Sequence, residues 1–273
     1  MEEKNNSSFK NIEETTGNLY SDCFSELNAD DKHWYAHGKL LAQQIGLTPE
    51  LVRGKVCLDG GCGNGTLTYR LLEMGAERVV AIDLHPTPKE HVFDAFKGKV
   101  EFVTGSLLDI PFPDGTFDLV ASTGVLQHTA DPERALSELI RVLKPDNTLY
   151  LGVYGKYGLF SWCLSLLRIF TVTIPIIPQS FVDYCIRTLK LGSLVRYQVL
   201  DYLYVPNIIR SSPETLKQWF IKYGMKNPHR IYAVSPEEAK GFREKGTVYT
   251  YDPRTLWNRI LFGYGFINMQ AKK

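Results

Sequence analysis

From Asp59 to Gly65 the chain reads Asp-Gly-Gly-Cys-Gly-Asn-Gly, with glycines at 61, 63 and 65 following a short apolar run, Val56 to Leu58. Glycine tolerates positive φ and has no Cβ, so such a turn lets a ligand lie directly against the main chain. The spacing excludes a dinucleotide fingerprint, because the final glycine counted from Gly61 and Gly63 would fall at Thr66. A second apolar run, Arg78 to Asp83, also ends in a carboxylate. At a strand end beyond a glycine turn, a carboxylate can accept both hydroxyls of a ribose; the competing reading is an ordinary turn aspartate. His128 is the candidate general base, since it follows the fourth strand at the edge where ligands bind in open α/β sheets. The alternative is a structural histidine holding a loop. His33, His37, His91 and His229 have no constellation around them, and His85 reads as a surface residue beside the ribose position.

These residues need a parallel sheet behind them, and the pattern supplies one. Val56 to Asp59, Arg78 to Asp83, Val100 to Thr104, Phe117 to Ser122 and Thr148 to Tyr154 read as strands with nearly continuous apolar runs, as buried parallel strands require. Leu67, Leu71 and Met74 mark the helix after the first strand, with Gly75 as its stop. Asp131 at the N-cap and Pro132 at the first helical position open another, with Leu136, Leu139, Ile140 and Leu143 on one face and Lys144-Pro145 at its close. Ser212 and Pro213 signal a third, ending at Gly224, followed by a sixth strand from Pro228 to Val234. Tyr264 to Ala271 alternates like a last strand. Ahead of the sheet, Met1 to about Asn18 lacks apolar periodicity and is expected to be a mobile arm. Trp34, Leu41 and Ile45 then sit on helical faces, either covering the sheet edge or touching ligand.

Several motifs together resemble one family. Asp59-x-Gly61-x-Gly63-x-Gly65, the run from Leu108 to Val120, Val125 to His128, and Arg141 to Pro145 look like the methyltransferase type 11 branch of class I S-adenosylmethionine (SAM)-dependent methyltransferases, over about Val56 to Tyr154. The resemblance implies a Rossmann-like α/β fold with a seven-stranded, mostly parallel sheet in the order 3-2-1-4-5-7-6 and helices on both faces. It implies SAM as cofactor and S-adenosylhomocysteine as product. Gly61, Gly63 and Gly65 would hold the methionine part, with Asp59 ordering the turn and facing the ammonium group. Asp83 would bind the ribose, Leu84 and Leu107 would flank adenine, Ser106 would touch its polar edge, and Ser122 and Gly124 would pass beside the methionine end. Two departures stand out: Ser106 replaces an acidic residue common in the family, and Asp146-Asn147 replaces the glycines after Lys144-Pro145.

The chain divides on this reading into 1–50 (arm and preliminary helices), 51–154 (SAM-binding core), 155–211 (a helical lid or substrate insertion) and 212–273 (the C-terminal part of the sheet). Tyr154, Tyr157, Trp162, Tyr202 and Tyr204 are candidates to line an apolar acceptor pocket, the bland alternative being core. A helix from Leu159 to Thr171 would be about 20 Å long at ~1.5 Å per residue, too short for the ~30 Å hydrocarbon core. Ser161, Ser165 and Arg168 also stripe it, so a membrane span is rejected. A lid is favoured over an interfacial helix or a dimer contact.

A formal net charge of +1 gives no electrostatic case for nucleic acid. Five scattered cysteines argue against a disulfide framework and against a metal site. The polar opening residues show no leader pattern, which reads as cytoplasmic. The expectation is therefore a methyltransferase for a small, partly apolar organic acceptor, monomeric or homodimeric. Its rivals are a membrane-associated lipid or quinone methyltransferase, and a SAM-binding regulatory or partner subunit that transfers nothing.

Overall fold

A computed structural model describes residues 2–27, 31–232 and 256–273. Seven strands form one sheet, β1 (Val56–Gly60), β2 (Arg78–Asp83), β3 (Val100–Thr104), β4 (Phe117–Thr123), β5 (Leu143–Tyr154), β6 (Lys226–Ile231) and β7 (Phe266–Lys272), in the order 3-2-1-4-5-7-6. The pairs β3–β2, β2–β1, β1–β4 and β4–β5 are parallel, and β7 runs antiparallel to both β5 and β6. That is the expected Rossmann-like methyltransferase topology.

Successive strand residues point to opposite faces, and both faces are dry. Leu58, Val80 and Val120 join one core, with Leu136, Leu139 and Phe220. Their neighbours Cys57, Val79 and Leu119 join the other, with Trp34, Ile45, Leu67 and Leu71. The first core lies under α5 (Pro132–Val142) and α9 (Pro213–Lys222), the second under α2 (Asp31–Gln44), α3 (Pro49–Val52) and α4 (Thr66–Glu73). Trp34 is therefore a core residue, and its indole N–H donates to the Asn64 carbonyl at 3.2 Å. The two helix starts are capped as predicted: Asp131 Oδ1 accepts from Arg134 N at 3.0 Å, and Ser212 Oγ from Thr215 N at 3.1 Å.

The motif residues outside the glycine turn hold the frame. Asp118 accepts from Val56 N at 3.0 Å and from Lys144 Nζ at 2.8 Å, binding β1, β4 and the start of β5 together. Arg141 donates to the carbonyls of Ile110 and Phe112, both at 2.8 Å, and Glu138 accepts from Ile110 N at 2.9 Å. The loop after β3 is thus stapled to α5.

The structure departs from the pattern in two places. Residues Glu2–Leu27 form one helix, α1, rather than an arm. Its buried stripe uses small residues, Thr16 and Gly17, alongside Tyr20, Cys23, Phe24 and Leu27, so the apolar period is hidden in the composition. Strand β5 begins at Leu143, where α5 was expected to continue, because Leu143 pairs with Phe117 across a bulge. Asp146 then takes φ 61°, a left-handed position that suits glycine and that aspartate tolerates better than most side chains. The predicted end of the sixth strand at Val234 lies outside the described residues.

The Leu139 side chain is fully buried and packs directly beneath Gly60, at the entrance to the glycine turn. Leu139→Ala should therefore cost about 2–5 kcal/mol, measured by urea unfolding.

Candidate active site

The turn from β1 into α4 has the geometry its glycines require. Gly61, Gly63 and Gly65 have φ of 83°, 52° and 81°. A Cβ on Gly61 would collide with Val125, and one on Gly63 would come 2.6 Å from the Phe24 ring. Asp83 closes the turn from the side: its carboxylate accepts from Gly63 N at 2.9 Å and from His85 N at 3.2 Å. Asp59 lies beneath, 2% exposed, accepting from Thr68 Oγ1 at 2.6 Å. Burial pushes the Asp59 carboxyl up to about 7 against the Thr68 hydrogen bond, and burial also raises Asp83.

Past β4 the edge is polar and unsatisfied. The buried Ser122 Oγ, Thr123 Oγ1 and both amide atoms of Gln127 find no partner among the described residues. Gly124 has φ 75° and open space where a Cβ would stand. Buried polar atoms without partners are uncommon in folded proteins, and here they sit beside a bare-backbone cradle with carboxylates at its rim. That donor and acceptor set suits an amino acid joined to a nucleoside, so the residues present fit SAM. Leu84 lies at the same edge, whereas Leu107 is 5% exposed and packs into the core near Gly60.

Helix α1 lies across this edge. Ser106 Oγ donates to Glu13, Gly17 presses on Leu84 and His85, Phe24 on Gly63, and Tyr20 reaches the His128 ring. Glu13 to Phe24 spans about 16 Å of helix, close to the ~14 Å from β3 to β4 at ~4.8 Å per strand. Glu13 thereby brings a carboxylate to Ser106, the position where the sequence lacks an acid.

At the far end of α1 is a cluster that the sequence pattern did not single out. Asp201, 2% exposed, comes from α8 (Ser193–Leu203). It accepts from Tyr154 Oη at 2.6 Å and from Tyr20 Oη, and faces His128 Nε2 at 3.3 Å. The other histidine nitrogen, Nδ1, is 3.1 Å from the Asn207 carbonyl, which can only accept, so Nδ1 carries a proton. With the Asp201 carboxylate facing Nε2, neither nitrogen is free to act as a base here. Burial raises the Asp201 carboxyl, but the hydrogen bonds and charge of His128, with the two tyrosine hydroxyls, outweigh it and hold the group below the usual range.

Of the residues expected to line an acceptor pocket, Tyr154 and Tyr202 stack at 5.7 Å beside Asp201. Tyr204 turns away to donate to the Ile177 carbonyl at 3.1 Å. Tyr157 and Trp162 do not converge with them and are 61% and 67% exposed. Asp201 had one faint signal: it and Asp183 are the two acids in the aromatic run 155–211. Tyr20 and Glu13 had none, because they act through a helix the composition conceals.

The raised Asp59 has a signed consequence. A carboxyl lifted from 3.8 to about 7 stabilises the fold fully below the lower value and ceases to do so as pH rises through the upper one. The melting temperature should therefore fall across that interval, and Asp59→Asn should flatten the fall.

Residues 58–151 match the family model described as "Methyltransferase domain". Over 185 residues the chain is 26% identical to the ubiquinone/menaquinone biosynthesis C-methyltransferase UbiE of Francisella tularensis subsp. novicida, covering 64% of this chain and 68% of that protein. A solved SAM-dependent methyltransferase from Aquifex aeolicus superposes with a TM-score of 0.51 at 16% identity, over 92% of this chain and 97% of that one. The 1,6-didemethyltoxoflavin-N1-methyltransferase of Burkholderia thailandensis, solved with S-adenosylhomocysteine bound, superposes with a TM-score of 0.50 at 16% identity, over 91% and 81%. Glycine turn, strand order and domain match agree, and the chain is a class I SAM-dependent methyltransferase.

Proposed function

We propose that this enzyme methylates a small, partly apolar organic acceptor bound at the end of β5, against α8 and the inner face of α1. The observation that carries this reading is the convergence, on one sheet edge, of the glycine cradle with the buried Asp201–His128 pair. Tyr154, Tyr202 and the Phe160 ring beyond Tyr202 form an aromatic wall beside that pair. Such a wall suits an acceptor with an apolar body and one reactive polar atom. The UbiE relative is named a C-methyltransferase of ubiquinone/menaquinone biosynthesis and the Burkholderia enzyme an N1-methyltransferase; the aromatic wall is compatible with either kind of acceptor.

SAM supplies an electrophilic methyl on a sulfonium, which leaves as a thioether. The chain's own work is placement. Main chain at Gly61, Gly63 and Gly65 holds the methionine part, with Asp59 beneath it, Ser122 and Gly124 beside it, and Asp83 at the ribose. Ser106 and Glu13 take the adenine edge, with Leu84 alongside. Well-aligned reactants recover about 7–11 kcal/mol of barrier by position alone.

Helix α1 covers both halves of the site, so loading requires it to shift. Withdrawal of Tyr20 leaves one Asp201 oxygen facing the acceptor, with His128 behind it. In this role the Asp201–His128 pair takes the acceptor's proton and His128 acts through Asp201, in place of a lone His128 base.

Transfer of labelled methyl from SAM into a metabolite pool tests the reading; a protein that binds SAM yet labels nothing across such pools would refute it. Adding S-adenosylhomocysteine should raise the melting temperature and speed amide exchange in α1. Asp83→Ala should abolish both effects, and an unchanged melting shift would refute its ribose role. Asp201→Asn should keep that shift while lowering kcat about a hundredfold or more with little change in the KM for SAM.

A further inference from the structure

The segment after β5 is built inside out. In α6 (Leu159–Arg168) and the π-turn Ile169–Thr173 that continues it, the polar Arg168 and Thr171 turn inward. Arg168 donates to the carbonyls of Val205 at 2.6 Å and Tyr202 at 3.2 Å, and Thr171 Oγ1 to that of Leu203 at 2.6 Å. Leu164 is the buried apolar residue of α6. The outward stripe is apolar: Trp162 is 67% exposed, Leu166 59% and Phe170 45%. An ordinary surface helix has the opposite arrangement, and a lid closed over a site would bury its apolar face.

A second helix extends the same surface. Helix α10 (Leu256–Phe262) meets α6 through the Phe160 and Phe262 rings, 5.9 Å apart, and through the close backbone approach of Gly158 to Gly263. It exposes Trp257 at 72%. Exposed apolar residues this dense and contiguous mark an interaction surface. Among the described residues no helix is long and apolar enough to cross a membrane, so the surface can be wetted by lipid only from one side.

Charge selects the occupant. Within 155–192 and 256–262 the basic residues are Lys156, Arg168, Arg187, Lys190 and Arg259, and the one acid is Asp183. Arg196 holds Asp183 at 2.9 Å, and Glu26 holds Arg187. Lys156, just before α6, and Arg259 on α10 are exposed. In a two-fold contact with a second copy this face would meet its own positive charge without an acidic partner. An anionic bilayer offers both an apolar interior and the opposite sign.

We infer that α6, its π-turn and α10 form a docking surface for an anionic membrane, with Trp162, Leu166 and Trp257 entering the headgroup boundary. The aromatic path from Phe160 through Tyr202 to Tyr154 joins this surface to Asp201. The inference stands on surface chemistry and does not depend on which acceptor is methylated.

Flotation with vesicles of phosphatidylcholine, with and without phosphatidylglycerol, tests it on the full chain. The wild type should float with the anionic vesicles, less so as salt rises, and remain monomeric by sedimentation. The double variant Leu166→Ser, Trp257→Ser should lose about a hundredfold in partitioning, each side chain being worth about tenfold. It should keep its far-ultraviolet circular dichroism and its stabilisation by S-adenosylhomocysteine, since both residues are exposed. No flotation with either vesicle would overturn the inference. So would a wild-type dimer that the double variant dissociates, which would assign the surface to a second copy.

Discussion

A carboxylate sealed from water has to be neutralised by its neighbours, and Asp201 sets that demand at the centre of this enzyme. Leaving such a group unpaired costs several kcal/mol, so the chain must bring donors to it from wherever the fold can supply them. Here they come from three other places: Tyr20 on α1, Tyr154 at the end of β5, and His128 after β4. Asn207, just beyond α8, then fixes the remaining histidine nitrogen. One buried charge thus sews the N-terminal helix and the inserted helices onto the carboxyl edge of the sheet. The rest of the site is organised around the same edge, where the glycine turn and Asp83 stand a few strands away.

The two halves of this arrangement differ in how openly the sequence announced them. The cradle was legible because local rules dictate it. Glycine best accepts the backbone angles at 61, 63 and 65, and the apolar run ending in Asp83 marked a carboxylate at the end of β2. The strand order came instead with the family that the motifs resemble. The Asp201 cluster was illegible because its members lie up to 181 positions apart, and nothing in the spacing of a tyrosine at 20 and an aspartate at 201 tells that they meet. Helix α1 was missed for a related reason: from Glu13 to Gly17 its contacts are made by small and polar residues, Glu13, Thr16 and Gly17, that fit closely against loops.

The inserted segment shows how the same composition supports opposite structures. Its serines and Arg168 were legible as a polar stripe, and that stripe correctly argued against a membrane span. What the pattern could not reveal is that Arg168 turns inward while Ser165 stays exposed. Three carbonyls at the end of α8 and just beyond it, at Tyr202, Val205 and Pro206, point toward α6, and Arg168 answers them. That choice rotates the aromatic residues outward, so Trp162, expected in a pocket, ends at the surface. Inward satisfaction of backbone oxygens decided the orientation of the whole helix.

Helix α1 presses on the nucleoside edge with Gly17 and Phe24 and on Asp201 with Tyr20, all from one face of a single rod. A rod pinned at both ends cannot lift from one seat while staying fast in the other. On the proposed reading the two sides of the site are therefore mechanically coupled: a methyl donor that displaces the rod from the nucleoside edge also draws Tyr20 from Asp201 and opens the way for the acceptor. Such a gate would order the two bindings, donor before acceptor, without any residue devoted to the task.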